Sequence, residues 1–247
     1  SEQKRRKQPR GGRTARATSC GGIVLRDADG ITEICLGRRQ RTLGRGGMTW
    51  TLPKGKLLAV TGPSGVGKSS LLACLGGRLK QAEGGFQLSA GDPRAVGVIF
   101  QNLRLTRNLT VLTNVLCGRL GSQPWWRTLF SFPQEEKQRA YEIMLRLGIG
   151  ELANKPVRKI SGGEQQRTAI ARVLYQGPDI ILADEPTSNL DAELSVKVLE
   201  IFREQCDVQG RSAICVLHDE DLVQRFADWE LSLDQRHPRG WDLRQLR

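Results

Sequence analysis

Four short apolar runs, each ending in polar residues, set the rhythm of the chain: "KLLAVTG", "AVGVIFQ", "DIILADE" and "SAICVLHD". Apolar, β-branched runs of this length predict strands buried on both faces of a parallel sheet. Between them the period changes. "KSSLLACLGGRL" spaces its apolar residues as a helix does and stops at a Gly pair. "VLTNVLCGRLG" and "QEEKQRAYEIMLRLG" predict further helix, separated by the Pro- and Trp-containing loop "SQPWWRTLFSFPQ". Strands alternating with helices predict an α/β fold with a mostly parallel sheet. Ligands of such sheets gather at the carboxyl ends of the strands, where the polar residues of these runs fall. No repeat at a fixed period is visible. A chain of 247 residues suffices for one sizeable core and a small appendage, not for two full domains.

Charge changes the picture only at the front. Residues 1–56 hold 14 of the 38 Lys and Arg but 4 of the 26 Asp and Glu, so they carry 10 of the net +12. The remainder is nearly neutral. Residues 1–17 have no apolar period and are expected to form a basic, disordered tail, with nucleic acid or anionic lipid as the other reading of its charge. No apolar segment follows the charges as a secretory signal requires. Nor does any run approach the roughly 18 apolar residues of a membrane span, so a membrane role is expected to come through a partner. Six scattered cysteines without a C-x-x-C pair, and two histidines, suit a reduced cytosolic protein and do not supply a zinc site.

The candidate chemistry begins at "GPSGVGKSS", the residues Gly62, Pro63, Ser64, Gly65, Val66, Gly67, Lys68, Ser69 and Ser70. The pattern G-x-x-x-x-G-K-[ST] between a strand and a helix is a phosphate-binding loop. Its glycines let backbone N–H groups close around phosphate oxygens, and the helix dipole adds to them. Lys68 would neutralise the β- and γ-phosphates, and Ser69 would offer its hydroxyl to magnesium. "DIILADEP" supplies the complement. Asp184 emerges from a buried strand to hold the magnesium opposite Ser69, and Glu185 is set to polarise an attacking water. An acidic pair that merely caps a strand end is the plainer alternative for these two.

"ISGGEQQR", Ile160 to Arg167, then decides the family. Here the chain resembles the ATP-binding cassette (ABC) family, whose signature is LSGGQQQR; Ile160 stands for Leu and Glu164 for the commonest Gln. The other markers follow in family order: Gln101 in "VIFQN" resembles the Q-loop, "SNLD" ending at Asp191 the D-loop, and His218 in "VLHD" the switch histidine. The resemblance covers roughly residues 55–235. It implies a P-loop ATPase with a mostly parallel sheet core, an antiparallel β subdomain and an α-helical subdomain at about 102–160, all in one domain of residues 18–247. It also implies that Ser161, Gly162, Gly163 and Glu164 of one copy face the phosphate loop of a second, so that ATP is sandwiched in a two-fold pair. Glu185, His218 and Lys68 become the catalytic set, Ser69, Gln101 and Asp184 the magnesium ligands, and ATP and Mg2+ the bound species. The partners would be a second identical or similar ATPase subunit and separate transmembrane permease subunits, on the inner face of the cell membrane.

Two features sit apart from that pattern. "WTLPKGK", with "SCGGIVLRDADG" upstream, is similar to the opening of a Nudix hydrolase. No Nudix box G-x5-E-x7-R-E-x-x-E-E follows: counted from Gly55, Thr61 stands at the first Glu, and Ser69 and Ser70 at the Arg-Glu pair. The segment equally suits the strand and turn that lead into an ABC phosphate loop, and a relic of a fused Nudix front end stays open. ABC domains also stack an aromatic residue on adenine, and none stands in "LGRRQRTLGRGG". Arg38, Arg39 or Arg41 could stack there instead.

Within the family, "LTVLTNVLCGRLG" followed by "WWRTLFSFPQEEKQRA" looks like the ATPase of phosphonate importers, which would add a solute-binding protein to the partners. "DEPTSNLD" is equally similar to lipoprotein-release and macrolide-export ATPases. A soluble ABC ATPase acting on nucleic acid is a further alternative, though the chain lacks the coiled-coil or zinc-hook insertions such proteins carry. Trp125 and Trp126 are candidates for permease contact or for packing in the helical subdomain.

Overall fold

The computed structural model describes residues 27–28, 31–36, 48–77, 95–122, 132–234, 236–237 and 240–247, with side chains from Leu52 onward except at 121–122. The tail of residues 1–17, most of "SCGGIVLRDADG", Arg38, Arg39, Arg41, Trp125 and Trp126 lie outside the described residues. Three antiparallel strands come first: β1 (Asp27–Ala28), β2 (Ile31–Leu36) and β3 (Met48–Pro53). β2 pairs along the whole of β3, from Ile31 opposite Pro53 to Leu36 opposite Met48. "WTLPKGK" is therefore a strand and turn leading into the core sheet.

That core sheet has six strands: β4 (Leu57–Thr61), β5 (Val96–Ile99), β6 (Ile180–Asp184), β7 (Ser212–Val216), β8 (Trp229–Leu233) and β9 (Trp241–Gln245). Their order is β5-β6-β7-β4-β8-β9, all parallel except β9, which returns antiparallel on β8. The four apolar runs are β4 to β7, as the pattern predicts. β8 and β9 were not predicted. The physical reason is Glu230, a buried carboxylate at the second position of "WELSL" that interrupts the apolar signal. Its charge is matched by Arg244 across the hairpin, and Thr61 donates to it at 2.7 Å.

The side-chain alternation of a strand divides the core into two layers. Leu57 and Ala59 of β4 face one cluster, with Ile181, Ala183, Ala213 and Cys215. Leu58 and Val60 face the other, with Leu182, Ile214, Val216 and Leu231. The second layer is covered by α1 (Lys68–Leu75), through Leu72 and Leu75, and by Leu52 from β3. The first is covered by α2 (Val111–Leu116), α3 (Gln134–Arg146), α4 (Gly162–Gln176), α5 (Ala192–Asp207) and α6 (Glu220–Phe226). A short 3-10 turn, Cys117–Ser122, extends α2. Among the described residues no helix is long and apolar enough to cross a membrane.

A buried carboxylate ties the amino ends of β4 and β8 to α5. Asp228, 3% exposed, accepts from Leu57 N at 2.8 Å, Lys56 Nζ at 3.1 Å and Arg203 Nη1. Burial by itself would raise this carboxyl, but the Leu57 amide and the two cations outweigh it and hold it below its ordinary value. A depressed carboxyl stabilises the fold above the unfolded value of about 3.9, and the contribution fades as pH falls through the lower folded value. Asp228→Ala should cost about 3–5 kcal/mol in urea unfolding at neutral pH. The gap to the unmodified chain should narrow below about pH 4. An equal gap at both pH values would show that packing, not charge, carries the effect.

Candidate active site

β4 delivers the chain into the phosphate loop at a point where only glycine fits. Gly62 has φ 131, and a Cβ there would collide with the carbonyl oxygen of Leu233 at the end of β8. At the far side of the loop Gly67, φ 115, occupies the N-cap of α1 without a side-chain capping bond. The first amides of α1 therefore point at the hollow of the loop, the arrangement that suits an anion. Pro63, Ser64 and Gly65 form its exposed rim, while Val66 N closes back on Pro63 O at 3.4 Å. Lys68 is 5% exposed, and its Nζ donates to Gly62 O at 2.7 Å and Pro63 O at 2.9 Å. Its ammonium thus lies inside the curl of the loop, held by carbonyls that a phosphate could replace. Ser70, within α1, is half-buried.

Two strands away, the end of β6 brings Asp184 to within 3.0 Å of Ser69 Oγ, 115 residues distant in the chain. Asp184 is 8% exposed, and burial is the main reason its carboxyl lies above its ordinary value. The neighbouring Glu185 pushes the same way, and the Ser69 hydroxyl, Lys68 and His218 oppose it. An ionised carboxylate here is costly without a cation. A hydroxyl beside that carboxylate suits magnesium, which takes few protein oxygens and completes its shell from phosphates and water. Among the described residues no cluster of three or more His, Cys, Asp or Glu could cage a metal without such help.

Glu185, the residue after β6, has a left-handed backbone, φ 54. That conformation costs a bulky residue about 1–3 kcal/mol and needs support. The support comes through the Glu185 carbonyl, which accepts from Ser188 N at 3.3 Å, Ser188 Oγ at 3.1 Å and Gln166 Nε2 at 3.4 Å. The side chain then meets His218 Nε2 at 2.7 Å. His218 stands between the end of β7 and Asp219, whose carboxylate caps α6 by accepting from Asp221 N and Leu222 N. Beside the pair lies a cleft of about 340 Å³, lined among others by Ser188, Leu190, Ser195 and Leu222.

The signature residues open α4. Ser161 is its N-cap and Glu164 closes a capping box: Ser161 Oγ accepts from Glu164 N at 3.3 Å, and Ser161 N donates to Glu164 Oε2 at 2.7 Å. These bonds, the backbone one foremost, hold the Glu164 carboxyl below its ordinary value. Ser161 and Gly162 are exposed, and Gly163 is fitted against Asn189 O, 2.9 Å from where a Cβ would sit. Asp191 caps α5 by accepting from Leu194 N at 2.8 Å. Gln101 is exposed in the turn after β5.

One chain thus joins Lys68, Ser69, Asp184, Glu185 and His218 around the phosphate loop. None of the hydrogen bonds made by Ser161, Glu164 or Asp191 reaches that loop. Gln166 is a supporting residue the sequence reading missed. It is 1% exposed and shares the buried stripe of α4 with Ile170 and Val173 at helical spacing, so a polar residue on an apolar stripe was the available signal.

Comparison with known proteins agrees with this geometry. A family model described as "ABC transporter" matches residues 46–188. The phosphonates import ATP-binding protein PhnC of Trichormus variabilis is 39% identical over 192 residues, covering 74% of this chain and 79% of the relative. A PhnC of Escherichia coli O6:K15:H31 is 40% identical over 201 residues, covering 74% and 77%. Among solved structures, the dimeric bacterial ABC transporter cassette MJ0796 superposes with a TM-score of 0.70 at 28% identity, covering 81% of this chain and 89% of that one. A second structure of that cassette, in a post-hydrolysis state bound to ADP and Pi, gives 0.66 at 27% identity, covering 83% and 94%. With a phosphate loop, an Asp–Ser pair and a Glu–His pair converging as described, the chain belongs to the ABC transporter family, as one of its ATP-hydrolysing cassettes.

Proposed function

We infer that this cassette powers the import of phosphonates or phosphate esters, working as a head-to-tail pair beneath separate membrane-spanning permease subunits. The hydrolytic part of the reading is carried by one observation, the 2.7 Å contact between Glu185 and His218 beside the phosphate loop. The solute class is supported by relatives at 39–40% identity that are named phosphonate-import ATPases.

In this mechanism the γ-phosphate of ATP enters the hollow formed by Gly62 to Ser70. Lys68 exchanges its two loop carbonyls for phosphate oxygens, and the open amides of α1 bind the rest. Ser69, Asp184 and the side-chain oxygen of Gln101 would hold Mg2+, which when bound neutralises charge on the β- and γ-phosphates. Glu185 accepts a hydrogen bond from the attacking water and polarises it. His218 fixes the Glu185 carboxylate and is within reach of the departing phosphate. Ser161 and Glu164 of a second copy, with its Gly162, Gly163 and Asp191, complete the site, which fits the exposure of Ser161, Gly162 and Asp191 on one chain. Closure on ATP and opening after hydrolysis would drive the permease, with the stretch of about 102–160 as the part that meets it. A solute-binding protein and a location on the inner face of the membrane follow from the importer reading.

Two experiments test this. Glu185→Gln should leave ATP binding intact, lower turnover by about 10²-fold or more, and trap an ATP-dependent dimer on size-exclusion chromatography. Lys68→Ala should instead weaken nucleotide binding itself. Near-normal hydrolysis by Glu185→Gln would remove Glu185 from the role of base. For the solute, the assembled transporter should hydrolyse ATP faster when a phosphonate-loaded binding protein is added. Stimulation by a lipoprotein or a macrolide would assign the cassette to an exporter.

A further inference from the structure

Two successive backbone carbonyls just beyond Gln101 are held by a single guanidinium from the helix that starts at Ser161. Arg172, near the end of α4, donates from Nη2 to Leu103 O at 2.7 Å and from Nη1 to Arg104 O at 2.8 Å. Such a fork is charge-assisted and geometrically rigid. What it holds is a strained turn. Arg104 has φ 49 and is, with Glu185, one of two non-glycine residues of positive φ among the described residues. Its amide turns back on Asn102 O, and its own guanidinium lies 4.5 Å from the centroid of the Phe100 ring. A bulky residue stays in the left-handed region only where its surroundings over-determine it. The 3-10 turn after α2 closes in from another side, because a Cβ on Gly118 would strike the Arg172 carbonyl oxygen.

The two ends of this arrangement belong to the nucleotide site. Gln101 precedes the stapled carbonyls by two and three residues. Ser161 lies eleven residues before Arg172 on the same rod, roughly 16 Å along the axis at 1.5 Å per residue. Arg172 itself makes none of the described contacts of the phosphate loop. Any displacement of the Gln101 turn must therefore break the fork, relax the left-handed residue, or carry α4 along.

We propose that Arg172 is a positioning residue for ATP hydrolysis, binding the Gln101 turn and the signature helix into one body so that engagement of Gln101 in one site is transmitted to Ser161 in the other. The inference rests on the reading that Gln101 and Ser161 contact nucleotide in the paired state. A brace that only stabilised the subdomain would lower the melting temperature and leave turnover per folded subunit unchanged.

The test uses the full chain carrying Arg172→Gln or Arg172→Lys, each alone and combined with Glu185→Gln. ATP affinity of the single subunit should change by less than about twofold, while turnover at saturating ATP falls about tenfold or more for Arg172→Gln and less for Arg172→Lys. In the Glu185→Gln background the ATP-dependent dimer should require a several-fold higher subunit concentration. Adding Arg104→Gly to Arg172→Gln should leave turnover low, because glycine adopts φ 49 without strain but does not rejoin the turn to α4. Unchanged turnover and dimerisation in the folded Arg172→Gln chain would overturn the proposal, as would full recovery on adding Arg104→Gly, which would make relief of strain the whole role of Arg172. Should Arg172→Gln fail to fold, Arg172→Lys with and without Arg104→Gly carries the same comparison. Absence of a dimer in Glu185→Gln alone would instead sink the paired-site reading beneath it.

Discussion

Burial of β4 on both faces and along both edges is the constraint on which the rest of the molecule depends. β7 and β8 pair with it, and its side chains alternate between the two apolar layers. A strand held on four sides has no freedom to slip, so its carboxyl end is fixed in space. The phosphate loop is hung from that end, and β7 holds the strand that carries Asp184 in register beside it. Gly62 leaves β4 against the Leu233 carbonyl, and Thr61 is tied to the buried Glu230 of β8. At the other end Asp228 pins the start of the same strand to α5.

The site spends stability that this frame supplies. Asp184 carries a carboxylate in a place where burial raises the cost of its charge. Glu185 adopts a left-handed backbone, and its side chain meets His218. Both are local conflicts, and both sit at one strand end beside the phosphate loop. Successive strand residues already face opposite sides, and the left-handed backbone at Glu185 takes its side chain off the strand altogether, beside His218.

A second feature is the division of labour along α4. Its amino end carries Ser161 and Glu164 in a self-contained capping box, exposed and not hydrogen-bonded to the loop of its own chain. Its middle supplies Gln166 to the Glu185 carbonyl, and its last turns supply Arg172 to the turn after Gln101. One helix therefore joins the signature segment, the support of Glu185 and the turn after Gln101. A rigid rod is a simple way for separate contacts to change together.

The sequence by itself determined the strands β4 to β7, the phosphate loop, the acidic pair after β6 and the order of the family motifs. These are local signals: an apolar run, a glycine spacing, a short word that one segment must contain whole. It did not reveal β8 and β9, because the charge of Glu230 reads as surface until Arg244 and Thr61 are seen beside it. The motifs did set Asp184 opposite Ser69, 115 residues apart, but nothing in them could reveal that Gln166 props Glu185 or that Arg172 clasps Leu103 and Arg104. Polar side chains carry no periodic mark of their partners. Whether such a group is buried and paired depends on chain segments brought together by the apolar core, so only the tertiary structure decided which charges were supports and which belonged to the site.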